Sequence, residues 1–284
     1  MKKILVSVLF VLGMACFVCP SAQTPKPKPS VQTDVEAIDN LSQDAVPLFA
    51  YTFISPWSAV YGSDSPEFVL YEDGRTIYTK CLQKNDCVYR FVKLSPMEIA
   101  KIVEALNTTA FYSFEDRYAP DTSKGTTSDL NTRLLVLRKA DGTYKRVSTY
   151  GALFEGGDPT HAAVGVPDAL RKLVEFVEAY DNPKSLGNSF KTAEVIIQTY
   201  FGDSRKSLKW PKKLPDLNGA KSIKHSKGGA YSIFVPASQY QTVRRLMYKQ
   251  FKSNLPIIIN DRKWKASERI PFPSEIIWLG NFRD

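Results

Sequence analysis

The stretch from Glu67 to Leu106 limits what this chain can fold into more than any other. Its first part, EFVLYEDGRTIYTK, sets β-branched and aromatic residues on both sides of Asp73-Gly74. That dipeptide supplies the positive φ angles of a tight hairpin turn. The next strand, Cys87 to Leu94, alternates, with Val88, Val92 and Leu94 on one face and Tyr89 and Phe91 on the other. Arg90 shares the first face, so that face is not dry along its whole length. Ser95, Pro96 and Glu98 then spell a capping box with proline at the first helical position. Ile99, Ile102, Val103 and Leu106 follow at helical spacing as one apolar stripe, which is core.

Cys81 and Cys87 flank a five-residue turn at the facing ends of two strands expected to pair. Paired in that way, their Cα atoms would fall within bridging range, so an oxidising compartment predicts a disulfide. For so short a loop the chain-entropy model gives roughly 2 kcal/mol of stabilisation. A redox-active pair is disfavoured, because the spacing is not Cys-x-x-Cys and no obvious charge stabilises a thiolate.

The compartment is read from the N-terminus. Lys2 and Lys3 precede the apolar run Ile4 to Leu12 and the small residues Ser21-Ala22, which predicts a signal peptide over 1–22. The run is too short for a membrane span. Cys16 and Cys19 offer a second route, lipid attachment, although neither has a leucine three positions ahead of it. If both leave with the signal, only Cys81 and Cys87 remain, and an even pair suits an exported protein. Residues 23–46 are Pro-rich and polar, either a disordered tether or a tail without a role.

From there the chain reads as α+β: two small antiparallel-sheet-plus-helix units in tandem, over 47–182 and 189–284. In the first, Leu48 to Ile54 is a strand, and Phe111, Tyr112 and Phe114 pin the end of the capped helix to the sheet. Thr132 to Lys139 and Thr143 to Tyr150 flank a second Asp-Gly turn, Asp141-Gly142. Pro167 starts a second helix with Leu170, Leu173, Val174 and Val177 on one face. In the second unit, Ala193 to Phe201, Ala230 to Val235, Leu255 to Ile259, Lys263 to Ile270 and Ile276 to Leu279 are strand-like. A helix from Ser238, with Gln241 completing a capping box, carries the stripe Val243, Leu246 and Met247.

Over about 48–180 the pattern resembles a family of exported bacterial proteins built on a domain of unknown function. The likeness is carried by Tyr71, Asp73-Gly74, Leu94-Ser95, Glu98, Phe111, Phe114, Asp141-Gly142 and Tyr150-Gly151. It implies an antiparallel sheet with helices packed on it, and it brings no activity and no site residues.

No catalytic constellation stands out. His161 lies three residues after Asp158 in a glycine-rich loop, and Glu155 and Asp158 are a candidate carboxylate pair, but no serine or cysteine sits in a nucleophile-elbow context. The acidic loop at 115–129 does not match a calcium-binding spacing, and the glycines at 151–165 do not match a phosphate cradle. His225 has no neighbouring His or Cys with which to share a metal. No cofactor or metal is expected.

Charge carries the one partner signal. Residues 1–182 hold 19 Lys and Arg against 22 Asp and Glu, while residues 183–284 hold 19 against 7. The basicity of the chain therefore belongs to its C-terminal third. It is densest from Arg205 to Lys227, where Arg205, Lys206, Lys209, Lys212, Lys213, Lys221, Lys224 and Lys227 surround Trp210 against one acid, Asp216. Cations interleaved with an aromatic suit a polyanion such as lipid headgroups, lipopolysaccharide or acidic glycans. The plainer reading is a solvated loop with Trp210 folded inward. Lysine outnumbers arginine here, which suits diffuse attraction over bidentate recognition. The expected function is thus an exported, non-enzymatic binding module of the cell envelope, periplasmic or extracellular. Its partner would be an anionic envelope component or another envelope protein. An extracytoplasmic hydrolase using His161 is the alternative, and nucleic acid is disfavoured because export removes the usual substrate.

Overall fold

The computed structural model describes residues 46–56, 60, 64–83, 86–121 and 123, then 129–153, 161–187, 192–219 and 222–224, and lastly 229–273 and 275, with 122 left out. The expected signal peptide, the tether, Cys16, Cys19 and the strand Ile276 to Leu279 lie outside the described residues.

The hairpin at Asp73-Gly74 is the centre of the first sheet. β1 (Pro47–Ile54) pairs with β2 (Phe68–Tyr71), which turns into β3 (Arg75–Gln83) and then β4 (Asp86–Lys93), all antiparallel. Gly74 has φ +87°. A Cβ there would meet the Leu94 carbonyl oxygen at 2.5 Å and Ile99 Cδ1 at 2.9 Å, so both the turn and the seat of the first helix require glycine. That helix, α1 (Pro96–Ala105), opens on the capping box: Ser95 Oγ accepts the Glu98 N–H, and the Glu98 carboxylate accepts the Ser95 N–H at 2.8 Å. The Ser95 amide, then Lys184, hold the Glu98 carboxyl down to about 2.

A short helix, α2 (Thr108–Ser113), replaces what the sequence suggested was only an aromatic cluster. Phe111 and Phe114 are buried, whereas Tyr112 is exposed and reaches the sheet by its hydroxyl, which donates to the Arg138 carbonyl at 2.9 Å. β5 (Arg117–Tyr118) follows, then the second hairpin of β6 (Thr132–Arg138) and β7 (Tyr144–Tyr150), with Gly142 at φ +85°. α3 (Asp168–Glu178) buries Leu170, Leu173, Val174 and Val177, and β8 (Leu186–Gly187) closes the sheet. The strand order is β5-β7-β6-β1-β2-β3-β4-β8, with β5 parallel to β7 and the other neighbours antiparallel. The three helices cover one face, over Phe49, Tyr51, Phe68, Leu70 and Leu135. Arg90 lies on that face and is satisfied there, donating Nε to Ser185 Oγ at 3.1 Å and Nη2 to the Ser185 carbonyl at 2.7 Å.

The second sheet is built from β9 (Thr192–Thr199), β10 (Leu208–Lys209), β11 (Ser222–Lys224) and β12 (Tyr231–Pro236). After α4 (Tyr240–Ser253) come β13 (Ile257–Ile259) and β14 (Arg262–Arg269), in the order β10-β13-β14-β9-β12-β11. The protein is therefore α+β, with an eight-stranded and a six-stranded sheet. Val195, Ile197, Ile233, Val235 and Trp264 face Val243, Leu246 and Met247 of α4. Asn260 and Asp261, at φ 48° and 59°, make the β13–β14 turn. The expected capping box at Ser238 does not form. Residues 237–239 make a 3-10 turn, so α4 begins at Tyr240 with Gln239 at its N-cap and no side-chain cap. A capping side chain needs an extended backbone, and Ser238 sits inside a helical turn.

Beyond β14 the chain crosses to the uncovered face of the first sheet, where Ile270 and Phe272 pack with Val69, Tyr71, Ile77 and Phe91. A fully buried ion cluster fixes this crossing. Arg269 Nη1 donates to Glu194 of β9 at 2.8 Å and to Glu275 at 2.9 Å, and Nη2 also reaches Glu275. Tyr71 adds a bond from its hydroxyl to the Pro273 carbonyl at 3.3 Å. Burial first, and the neighbouring Glu194, push the Glu275 carboxyl up to about 7, against the pull of Arg269.

Two predictions follow from these contacts. Gly142→Ala, with only the Arg138 side chain near its Cβ at 3.5 Å, should cost about 1–2 kcal/mol of backbone strain. Gly74→Ala should cost clearly more in the same urea titration, because it adds a clash with backbone. The second concerns pH. A carboxyl raised from its ordinary 4.5 to about 7 contributes stability that is complete below the ordinary value and lost as pH rises through 7. Glu67, also raised to about 7 by burial and then by Glu178, acts in the same direction. Denaturant midpoints should fall between pH 5 and pH 8, and Glu275→Gln should flatten that fall; an unchanged slope would contradict the assignment.

Candidate functional site

The basic segment is divided by the sheet it helps to build. Arg205, Lys206, Lys209, Lys212 and Lys213 are exposed along one side, where β10 runs parallel to β13 at the sheet edge. Lys224 is exposed on β11, the opposite edge. Five strand spacings separate the two edges, about 24 Å. Between them the chain dips into the core through Leu214 and Leu217. Trp210 belongs to that dip. It packs against the core cluster, and its indole N–H donates to the Pro215 carbonyl at 2.9 Å, so it anchors the segment. Lys221, Lys227 and His225 lie outside the described residues.

What the cations share is that none of them forms a salt bridge among the described residues. From Arg75 to Lys184, eight different Lys and Arg residues form salt bridges. After residue 191, among the described residues, Arg269 alone does so. Exposed cations without partners keep their full field toward solvent.

Sequence reasoning missed a second group of them, on α4. Its sequence YQTVRRLMYKQFKS contains Arg244, Arg245, Lys249 and Lys252, all exposed, and no acid. The signal was present as that absence, but the apolar stripe drew the reading to core packing. A cleft of about 490 Å³ lies between α4 and β14, lined by Tyr200, Arg244, Tyr248, Phe251, Lys265 and Glu268 among others. Its floor is a strand edge. β13 pairs with β14 only as far as Trp264, whereas β9 continues to Arg269. At that step the buried Gln250 side chain takes the place of a strand, donating to the Trp264 carbonyl at 3.2 Å and accepting from the Ala266 N–H at 3.1 Å. Glu268 has its carboxyl raised by burial, against its own backbone N–H and Arg244.

His161 is half-buried, and its carbonyl accepts the Ala152 N–H at 2.7 Å. Among the described residues its imidazole has no hydrogen-bond partner, and Glu155 and Asp158 lie outside them. The structure gathers a different titratable group, Tyr51, Glu67, Arg133 and Glu178. There the Tyr51 hydroxyl and Arg133 Nε, the latter at 3.2 Å, both donate to Glu178, tying the end of α3 to the sheet. Among the described residues no group of three His, Cys, Asp or Glu is placed to hold a metal ion, and no helix is long and apolar enough to cross a membrane.

Cys81 stands opposite Cys87 in the β3–β4 register, while the Cys87 side chain lies outside the described residues. Comparison of the chain with family models, curated proteins and solved structures finds no match.

The register makes a disulfide checkable directly. The intact mass of the protein should rise on reduction by one hydrogen for each of these sulfurs; an unchanged mass with both thiols open to alkylation would exclude the bridge.

Proposed function

We propose that the protein is exported and acts as a non-enzymatic binding module of the cell envelope, its C-terminal half holding an anionic partner. The observation that carries this reading is the contrast in ion pairing. Eight Lys and Arg residues between Arg75 and Lys184 are paired with an acid, whereas the exposed cations at 205–213, 224 and 244–265 have no salt-bridge partner among the described residues. A surface left with that much unopposed charge gathers polyanions, and its attraction weakens as salt rises. The N-terminal Lys2-Lys3 and the apolar run after them support export, and the facing cysteines suit an oxidising compartment.

Retention on heparin or on anionic lipid tests the reading. The protein should elute at well above physiological salt, and Lys212→Glu/Lys213→Glu should lower the eluting concentration substantially. Equal retention of the charge-reversed variant would remove this face from the binding surface.

A further inference from the structure

Charge alone would make the C-terminal half attract any polyanion, but its apolar side chains narrow the choice. Phe201, Phe251 and Tyr248 are 87%, 77% and 62% exposed, three of the four most exposed large apolar side chains among the described residues. Tyr248 and Phe251 stand one turn apart on α4 and line the cleft with Tyr200, and Phe201 is the residue after Tyr200. Cations surround them. Arg244, Arg245, Lys249 and Lys252 come from the same helix and Lys265 from β14, and Lys252 Nζ lies 5.7 Å from the centre of the Tyr248 ring. Among the described residues, Glu268 is the one acidic side chain in the cleft wall.

This combination requires a partner that offers a dense negative field and an apolar layer within one side chain's reach of each other. A bilayer interface has both. Cations bind its phosphates while aromatic rings settle at headgroup depth. A soluble glycan supplies the field without the apolar layer, and would leave Phe251 and Tyr248 in water.

We propose that the outward face of α4 docks on an anionic bilayer surface, Phe251 and Tyr248 entering the interface and Arg244, Arg245, Lys249 and Lys252 meeting the headgroups. This rests on the anion-binding reading above and names its partner and its contact surface. The aromatic side chains contribute affinity by burial, and the cations make that affinity depend on lipid charge and on salt.

Sedimentation of the full exported chain with vesicles tests it. The protein should pellet with vesicles of phosphatidylcholine mixed with phosphatidylglycerol and remain in solution with phosphatidylcholine alone. Tyr248→Ser/Phe251→Ser should weaken vesicle binding about tenfold or more while leaving heparin retention unchanged. Both positions are largely exposed, so the fold does not depend on them. Phe251→Trp provides a second readout, since its emission should shift to the blue on mixed vesicles and stay unshifted with heparin. Vesicle binding by the double serine variant equal to that of the parent chain would overturn the proposed surface and leave the anion-binding reading standing. Retention on heparin with no binding to mixed vesicles would overturn the membrane partner in favour of a glycan. Failure on both supports would overturn the anion-binding reading itself.

Discussion

Three ionisable side chains buried together, Arg269, Glu194 and Glu275, hold the two sheets in their arrangement. One guanidinium between two carboxylates leaves a net negative charge in the interior unless a carboxyl keeps its proton, and burial raises the Glu275 carboxyl toward neutrality. A buried ion cluster is a poor source of net stability, because desolvation consumes much of the Coulomb attraction. Its value here is positional. Arg269 is the last residue of β14, Glu194 lies beside it on β9, and Glu275 comes six residues later, so the cluster fixes where the chain between them can run. That run delivers Ile270 and Phe272 to the uncovered face of the first sheet, with Phe272 edge-on to Tyr89 at 5.4 Å. Removing the guanidinium would strand two carboxylates in the interior, which in comparable clusters costs about 3–5 kcal/mol.

The parts of the fold that were legible in the sequence are those decided by a few adjacent residues. Asp73-Gly74 and Asp141-Gly142 demand positive φ and so declare their hairpins, and Ser95, Pro96 and Glu98 declare a helix start. The alternation in β4 even located Arg90 on the helix-covered face, where Ser185 satisfies it. The two-residue strands β5, β8 and β10 were not legible, because nothing in Arg117-Tyr118, Leu186-Gly187 or Leu208-Lys209 distinguishes a strand from a loop until a partner edge is present. Ser238 shows the same limit from the other side. The capping pattern was there, but the 3-10 turn after Pro236 placed the serine inside the helical path.

The candidate site divides in the same way. Composition located the basic third of the chain, but a run of cations contiguous in sequence need not be contiguous on a surface. The segment from Arg205 to Lys224 must supply both edge strands of one sheet, and that separates its charges and draws Trp210 inward. The α4 face arises from the opposite effect. Arg244, Arg245, Tyr248, Lys249, Phe251 and Lys252 are scattered along the helix among core residues, and only the helical turn brings them to the outside. Gln250 is the sharpest example of what the sequence withholds. A lone glutamine on an otherwise apolar face looks like an interruption of the core, and in the fold it is the group that satisfies the open edge of β14.

In the proposed binding role, the chemistry of this face also bears on selectivity. Lysines on flexible stems present point charges without a fixed geometry, whereas arginine forks recognise a phosphate or carboxylate bidentately. At 205–213 the cations are one arginine and four lysines, and they border a sheet edge. Such an edge responds to how much negative charge lies opposite it, and much less to what carries the charge. Discrimination has to come from elsewhere, and the aromatic side chains beside Arg244 and Arg245 are the feature able to supply it. Stacking and burial respond to what lies beneath the charge, so the same cations read different surfaces differently once a ring must be accommodated with them.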